Sequence, residues 1–199
     1  MGILAVVSNP PAWLLPLLLA GAYALGGISP GWFLVRLSGG GDVRRQGSGA
    51  TGATNVGRLL GVKGFILVLA LDAAKGAIAV IGVRLLDPGT PWAALALPAV
   101  IAGHIWPPWL RFQGGKGAGP LLGGCLALDW AGTLASVVIG ILAGLAARNR
   151  FLAGAVAYAA NLALLLWRIK IPQVRISYLF GWVLVLLAHR AYFLRDSKS

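Results

Sequence analysis

The sequence predicts an all-α membrane protein, a bundle of about seven transmembrane helices of which one is short. Three observations support this fold class. The 199 residues are 58% hydrophobic and only 11% charged, their mean hydropathy is +0.82, and long apolar segments follow one another with little sequence between them. A chain of this composition has too few polar residues to cover a water-exposed surface. We therefore interpret residues 1–199 as a single integral membrane domain.

Seven apolar segments are candidate spans, because a helix that crosses the hydrocarbon core needs about 20 mostly apolar residues. They lie near residues 11–35, 59–86, 92–110, 118–129, 130–147, 151–167 and 176–194. The first has no charge and no upstream basic region, which favours a retained helix over a cleaved signal. The fourth is too short for a core of about 30 Å at about 1.5 Å per residue. We expect it to be partly re-entrant or to be covered by its neighbours.

Lysine and arginine number 17 against five acidic residues, which gives a formal net charge of +12. In so apolar a chain, this excess is typical of loops retained in the cytoplasm and of surfaces that bind anionic head groups or substrates. It says little about nucleic acid, which we set aside as a partner.

The positions of these cations predict the orientation of the bundle. The first loop is bracketed by Arg36, Arg44, Arg45, Arg58 and Lys63, whereas the second loop, residues 87–91, has no basic residue. The first loop is therefore expected in the cytoplasm, with the amino terminus outside. Alternation of the spans adds Arg111, Lys116, Arg148, Arg150, Arg190, Arg195 and Lys198 to the same side. The loop with Arg168, Lys170 and Arg175 falls on the other side and disagrees with the charge rule.

A first polar motif, residues 44–58, reads RRQGSGATGATNVGR between two apolar segments. Its glycines allow backbone amides to approach a ligand, Ser48 and Thr54 add hydroxyls, and Arg58 adds a fixed forked charge, an arrangement that favours phosphate. GSGATG matches the dinucleotide pattern G-x-G-x-x-G, but no strand-turn-helix unit accompanies it, so that function is disfavoured. The structural alternative is a tight loop of small residues between packed helices.

A second polar motif, residues 111–117, reads RFQGGKG. It is not a Walker sequence, because Gly117 follows Lys116 where Ser or Thr is required, and this disfavours an NTPase. The motif offers a lysine and glycine amides at the start of a helix, whose partial positive charge adds to the field that attracts anions. Gly115, Gly119 and Gly123 also form a small-residue ridge suited to helix packing, and both interpretations can hold.

A few further residues are chemically notable. His104, near the cytoplasmic end of its span, is a candidate catalyst, although a lone histidine in a bundle more often has a structural hydrogen-bonding role. Asp72 and Lys75, three apart in the second span, suit a structural pair on one helical face. Cys125 has no partner for a disulfide or a metal cluster. Most tryptophans stand singly near span ends, as in an interfacial belt.

These motifs resemble those of a known family, the bacterial acyl-phosphate:glycerol-3-phosphate acyltransferases (the PlsY family). GSGATGATNVGRLLG is similar to the first family signature and GHIWPPWLRFQGGKGA to the second, and the order of motifs and spans covers nearly the whole chain. The resemblance implies a seven-helix enzyme that transfers a fatty acyl group from acyl phosphate to the sn-1 hydroxyl of glycerol 3-phosphate, giving lysophosphatidic acid and phosphate. It also implies a multi-pass protein of the bacterial cell membrane, with the active site facing the cytoplasm and no metal or other cofactor.

The resemblance also implies roles for individual residues. The catalytic set is Ser48, Arg58, His104, Lys116 and His189. The substrate-binding set consists of glycines and polar residues of the two motifs: Gly47, Gly49, Thr54, Asn55, Gly114, Gly115 and Gly117.

The chain departs from the family pattern at several positions. Ala50 replaces an asparagine, Gln113 a lysine, and Ala153 a serine, while Ala191 and Tyr192 replace the Glu-Asn of the third signature. Two alternatives therefore stay open: a diverged relative that binds phosphorylated ligands or uses another acyl donor or acceptor, and a small anion transporter. Transport ranks last, because apart from Asp72 and Lys75 the charges cluster toward one side of the membrane.

The implied chemistry is plausible on its own terms, because an acyl phosphate is a mixed anhydride with a good leaving group. Positioning and charge stabilisation then suffice without a covalent nucleophile, and Ser48 is interpreted as a hydroxyl donor to phosphate. The acceptor of the alcohol proton is left open between His104 and a phosphate oxygen.

Overall fold

The computed structural model of the protein describes residue 11 and residues 13–86 and 91–196. Helices account for most of these residues, and none of them lies in a β-strand. In chain order the α-helices are α1 (Leu14–Gly27), α2 (Pro30–Leu37), α3 (Ala53–Leu86), α4 (Ala96–Ile105), α5 (Ala118–Leu128), α6 (Trp130–Ala146), α7 (Arg150–Arg168) and α8 (Pro172–Asp196). The predicted all-α fold is confirmed.

Each predicted span corresponds to a helical segment. Helices α1 and α2 form one apolar unit, Leu14–Leu37. This unit and α3 are each long and apolar enough to cross a membrane. Shorter apolar helices follow at Ala118–Leu128, Trp130–Ala146 and Leu152–Arg168. Residues 87–90 of the predicted second loop, and Lys198 in the tail, lie outside the described residues.

Two predicted boundaries are wrong. The second span was expected from residue 59, but α3 starts at Ala53 and is interrupted at Gly61, where φ is 70°. Residues 53–60 therefore form a separate short helical segment that carries Asn55 and Arg58. The third span was expected to reach residue 110, but α4 ends at Ile105, because the ring of Pro107 disfavours helical backbone at the residue before it.

The gap between α1 and α2 exposes helix-end carbonyls that lipid cannot satisfy. Side chains from elsewhere in the bundle donate to them. The Trp109 indole Nε1 donates to the carbonyl of Gly27 at 2.9 Å, and Lys75 Nζ donates to that of Ile28 at 2.7 Å. The break is thereby tied to α3 and to the segment that follows α4.

The short α5 is covered by its neighbours, which is one of the two arrangements expected for the fourth span. It has 11 residues, about 16 Å of helix. Its ridge of small residues packs directly on α3: a methyl group added at Gly123 would overlap the carbonyl of Ala73, and one added at Gly119 would overlap Asp72. The packing role predicted for this ridge is confirmed. Ala153 lies in a similar close contact, against Gly144 between α6 and α7.

The loop that disagrees with the charge rule lies at the end of the bundle where α5 meets α6. Arg168 forms an ion pair with Asp129 at 2.6 Å. Lys170 Nζ donates to the carbonyl of Trp167 at 2.6 Å, and Arg175 Nε donates to that of Ile169 at 2.5 Å. These cations satisfy an acid and the last carbonyls of α7, where positive charge is favourable. The predicted number of spans therefore stands, and local pairing accounts for the exception.

We predict that Gly123→Ala lowers the free energy of unfolding by about 1–3 kcal/mol, because the new methyl group overlaps α3 backbone that cannot move aside. Gly82→Ala is the matched control, since the space beside Gly82 in α3 is open. It should leave stability unchanged or raise it by up to about 1 kcal/mol. Denaturation in detergent micelles, followed by tryptophan fluorescence, measures both variants; equal stabilities would contradict the packing role of the ridge.

Candidate functional site

The two polar motifs lie against each other. The amide of Thr51 donates to the carbonyl of Gly114 at 3.2 Å, and Arg44 Nη1 donates to the carbonyl of Leu110 at 2.7 Å. Arg44 also pairs with Asp42 at 2.6 Å, and its guanidinium holds the pKa of that carboxyl at about 2. Residues 44–58 and 111–117, far apart in the sequence, therefore form one surface at one end of the bundle.

Asn55 organises the first motif from within. Its side chain is buried, and Nδ2 donates to the carbonyls of Gln46 and Ala50, both at 2.9 Å, and to that of Val43 at 3.2 Å. Its Oδ1 accepts from the amide of Ser48 at 3.0 Å. Both ends of the Asn55 amide group are thus committed to loop backbone. These contacts are those of a residue that shapes the loop, and substrate binding by Asn55 stays a prediction.

Several glycine amides that were expected to face a ligand already have partners inside the protein. The amide of Gly49 donates to Gln46, that of Gly114 to Ile105, and that of Gly115 to the carbonyl of His104, all at 3.0 Å. These three amides are therefore not free donors: the Gly49 amide closes a turn of the first motif, and the Gly114 and Gly115 amides bond to carbonyls at the end of α4.

The glycines instead allow conformations and approaches that a side chain would prevent. Gly47 has φ of 56° and lies against Asn55 Oδ1, while Gly117 has φ of 83° and starts α5. A methyl group added at Gly115 would overlap Nε2 and Cε1 of the His104 imidazole. The sequence motif is therefore required for close packing of loop backbone on buried side chains.

The cations of the two motifs and the His189 ring of α8 lie near one another at this surface. Partial burial, with the positive charge of Arg58 as the second cause, lowers the pKa of the Lys116 ammonium. The charge of Lys116 in turn acts on the His189 ring of α8. Arg58 is exposed, whereas Lys116 and His189 are partly buried. Positive groups held within reach of one another raise each other's free energy, and a bound anion relieves that repulsion.

The two histidines of the chain are held in different ways. His189 Nδ1 lies 2.8 Å from the carbonyl of Val185. That oxygen only accepts, so Nδ1 carries a proton and Nε2 of the neutral ring is left as an acceptor. His104 is buried, and its Nδ1 lies 2.8 Å from Lys75 Nζ. His104 was a candidate catalyst in the sequence analysis. In the structure its Nδ1 is occupied by Lys75 inside the bundle.

The predicted Asp72–Lys75 pair is confirmed, with Lys75 Nζ 2.8 Å from Asp72 Oδ1 and both side chains buried. Its extension to His104 and to the carbonyl of Ile28 was not predicted. Two signals pointed to it: opposite charges three residues apart within a span, and a lone histidine at the end of another span.

A cleft of about 340 Å³ lies beside the second motif. Its walls are partly apolar and also contain the Arg190 cation. The lining residues are Ile105, Trp106, Phe112, Gln113, Gly114, Gly115, Leu187, Ala188 and Arg190. Such a cleft suits a ligand with both an anionic and an apolar part.

The remaining predicted residues lie on the same surface. Ser48 and Thr54 are exposed in the first motif, and their roles as hydroxyl donors stay predictions. The side chains of Ala191 and Tyr192 lie outside what the structure describes. Among the described residues, no group of three or more histidine, cysteine, aspartate or glutamate side chains is placed to hold a metal ion.

Comparison with known proteins shows the family to which the chain belongs. The family model for glycerol-3-phosphate acyltransferase matches residues 16–196. A glycerol-3-phosphate acyltransferase from Synechococcus sp. (strain JA-3-3Ab) is 43% identical over 185 residues, which are 90% of this chain and 89% of that protein. Glycerol-3-phosphate acyltransferase 1 from Desulfitobacterium hafniense (strain Y51) is 51% identical over 124 residues, 62% of this chain and 60% of the relative.

A solved structure shows the same fold. The crystal structure of PlsY, an integral membrane glycerol 3-phosphate acyltransferase, in its glycerol 3-phosphate form superposes with a TM-score of 0.83 at 31% identity, covering 92% of each chain. The lysophosphatidic acid form of PlsY superposes with a TM-score of 0.80 at 30% identity over the same share of both chains.

We predict that Asn55→Ala destabilises the first motif by at least about 2 kcal/mol, because it leaves buried carbonyls and the Ser48 amide without their partner. The released loop should become accessible to trypsin after Arg44 and Arg45. Limited proteolysis in detergent, with fragments identified by mass, measures this. Asn149→Ala is the control, because Asn149 caps α7 through the Leu152 amide, away from this loop. Equal cleavage of wild type and Asn55→Ala at these arginines would contradict the organising role of Asn55.

Proposed function

The chain belongs to the glycerol-3-phosphate acyltransferase family, and from this premise we propose that it transfers a fatty acyl group from acyl phosphate to the sn-1 hydroxyl of glycerol 3-phosphate. The products are lysophosphatidic acid and inorganic phosphate. Glycerol 3-phosphate acyl transfer is the family's activity; the acyl-phosphate donor and the sn-1 position are the specific content of the proposal.

The observation that carries the proposal is the hydrogen bond from the Thr51 amide to the Gly114 carbonyl, which joins the motif that contains Arg58 to the motif that contains Lys116. Donor and acceptor each contain a phosphoryl group. A site for both must therefore neutralise more negative charge than a single cation can. Arg58 presents a planar fork suited to two phosphate oxygens, and Lys116 presents a compact charge. The adjacent cleft, with apolar residues beside Arg190, suits the acyl chain and its charged end.

Two forms of PlsY support the choice of acceptor and product. That protein has been crystallised in a glycerol 3-phosphate form and in a lysophosphatidic acid form. These are the acceptor and the lipid product of the proposed reaction.

The reaction requires one bond to form and one to break at the acyl carbon. The sn-1 oxygen attacks the carbonyl, the bond from that carbon to the phosphate oxygen breaks, and phosphate leaves. Arg58 and Lys116 stabilise the negative charge that moves onto the leaving group. Ser48 donates a hydrogen bond to a phosphate oxygen, and no covalent enzyme intermediate is required.

The alcohol proton needs an acceptor. Nδ1 of His104 is occupied by Lys75, so His104 is not suited to this role. A phosphate oxygen of a substrate and Nε2 of His189 are the two remaining candidates, since the His189 Nδ1 proton points to the carbonyl of Val185.

We place the site on the cytoplasmic side of the cell membrane. The two motifs and their cations lie at one end of the bundle, and positive charge is retained on the cytoplasmic face. At the opposite end, Arg168, Lys170 and Arg175 are engaged by an acid and by helix-end carbonyls.

Removing the charge of Arg58 or of Lys116 should lower acyl transfer strongly. We expect Lys116→Ala and Arg58→Ala each to reduce kcat/KM by about 10²- to 10³-fold, because each deletes a charge that stabilises the departing phosphate. The assay uses purified protein in lipid with glycerol 3-phosphate and either acyl phosphate or acyl-CoA, and measures released phosphate or thiol together with lysophosphatidic acid. Arg84→Ala, an exposed cation near the far end of α3, is the control and should match wild type.

The same assay tests the donor and the class of function. Phosphate release that tracks lysophosphatidic acid supports the proposal, whereas thiol release identifies acyl-CoA as donor. Binding of glycerol 3-phosphate without any transfer would identify a diverged binding protein.

The lowered pKa of Lys116 predicts the alkaline side of the pH profile. As pH rises, the ammonium loses its proton and its attraction for phosphate, and this loss should begin below the ordinary lysine pKa of 10.5. In Lys116→Arg the cation does not titrate in this range, so its residual kcat/KM should stay flat where the wild-type value falls. Rates are corrected for spontaneous hydrolysis of acyl phosphate; the same alkaline fall in both proteins would refute the assignment.

A further inference from the structure

Three titratable side chains lie buried together where α3 meets α4. Asp72 and Lys75 belong to α3, and His104 belongs to the last turn of α4. Their side chains are each at most 5% exposed. Ionisable groups are costly inside a membrane bundle and are kept where they serve the site. This cluster adjoins the second motif through His104 but contains neither Arg58 nor Lys116.

The ammonium group of Lys75 has three close polar neighbours. Lys75 Nζ lies 2.7 Å from the carbonyl oxygen of Ile28, 2.8 Å from Asp72 Oδ1 and 2.8 Å from His104 Nδ1. An ammonium group has three N–H donors and no acceptor. One of these donors matches the Ile28 carbonyl and another matches His104 Nδ1, while Asp72 forms an ion pair that compensates the buried charge.

This match decides the state of His104. Because the ammonium can only donate, His104 Nδ1 must accept and carries no proton. The separation of Nδ1 from Asp72 Oδ1 is 3.4 Å, longer than its separation from Lys75, so the lysine is its hydrogen-bond partner. In a neutral imidazole the proton is then on Nε2.

His104 is in contact with the second motif at two points. Its carbonyl accepts from the Gly115 amide at 3.0 Å, and its Nε2 edge lies so close to Gly115 that an added methyl group would overlap it. Gly115 directly precedes Lys116. The orientation of the His104 ring therefore determines where the backbone that carries Lys116 lies.

We propose that Asp72 and Lys75 are positioning residues, which hold His104 as a neutral imidazole with its proton on Nε2 and thereby place Gly115 and Lys116. In this arrangement His104 supports the second motif and is not the general base of the reaction. The catalytic consequence rests on the acyl transfer proposed above; the protonation state of His104 does not.

The protonation state can be read directly by ¹⁵N NMR of histidine-labelled full-length protein in lipid nanodiscs. The chain contains two histidines, so a His189→Asn sample assigns their ring signals. Nδ1 and Nε2 are distinguished by their couplings to the carbon-bound ring protons. At neutral pH we expect an unprotonated Nδ1 and a protonated Nε2 for His104. A protonated Nδ1 on His104, alone or together with Nε2, would overturn the proposal.

Variants test the role of Lys75. Lys75→Met removes the donor to Nδ1, and the His104 signals should change from the single wild-type tautomer. The matched control is Lys63→Met, the same substitution at an exposed position of α3, which should retain the wild-type spectrum. If Lys75→Met does not fold, Asp72→Asn replaces it, since loss of the carboxylate charge should also disturb the bond between Lys75 and Nδ1. The wild-type spectrum tests the tautomer in any case.

The kinetic consequence is measured per folded protein. We expect Lys75→Met to lower kcat by about 10- to 100-fold, the loss typical of residues that orient a functional group from behind, while Lys63→Met matches wild type. A purely structural lysine would lower the melting temperature and the yield but leave kcat of the folded fraction unchanged, and that result would overturn the positioning role. If no protein sample transfers acyl groups, the proposed function fails while the spectrum still decides the tautomer.

Discussion

A buried ammonium group joins the parts of this bundle on which the site depends. Lys75 contacts the break between α1 and α2 through Ile28, its own helix through Asp72, and the end of α4 through His104. In a lipid environment each of these polar groups needs a partner within the protein, because no bulk water can replace one. The helix break, the buried acid and the histidine are therefore mutually dependent. Breaking one contact leaves at least one other polar group unsatisfied.

The two polar motifs divide their tasks between backbone and side chains. Three of their glycine amides and the Asn55 side chain bond to backbone within the protein, and the Thr51 amide joins the first motif to the second. In the proposed function, ligand binding then depends mainly on charged side chains, above all Arg58 and Lys116. This division explains how a site on irregular backbone stays ordered at a membrane surface. The backbone groups of the loops form hydrogen bonds within the protein, and the cations remain at the joined surface of the two motifs.

The same division bears on the departures from the family pattern. Ala153 lies in a tight contact with Gly144 of α6, where a small side chain suits the packing. Gln113 is exposed and lines the cleft beside the second motif. Arg58 and Lys116, which the proposed function assigns to two phosphorylated reactants, are both present in the chain.

Sequence analysis established the fold class, the approximate spans, the two motifs and the pairing of Asp72 with Lys75. These follow from hydrophobicity and from spacings of a few residues, which act locally along the chain. It did not determine where α3 starts, since the interruption at Gly61 is a single left-handed residue in an otherwise helical segment. It also did not show that Asn55 and three glycine amides have partners inside the protein, because those partners depend on how each motif folds. The contacts of Lys75 in α3 with His104 of α4 and with Ile28 before α2 are visible in the folded structure alone, because contacts between distant segments arise from helix packing and leave no periodic signal in the sequence.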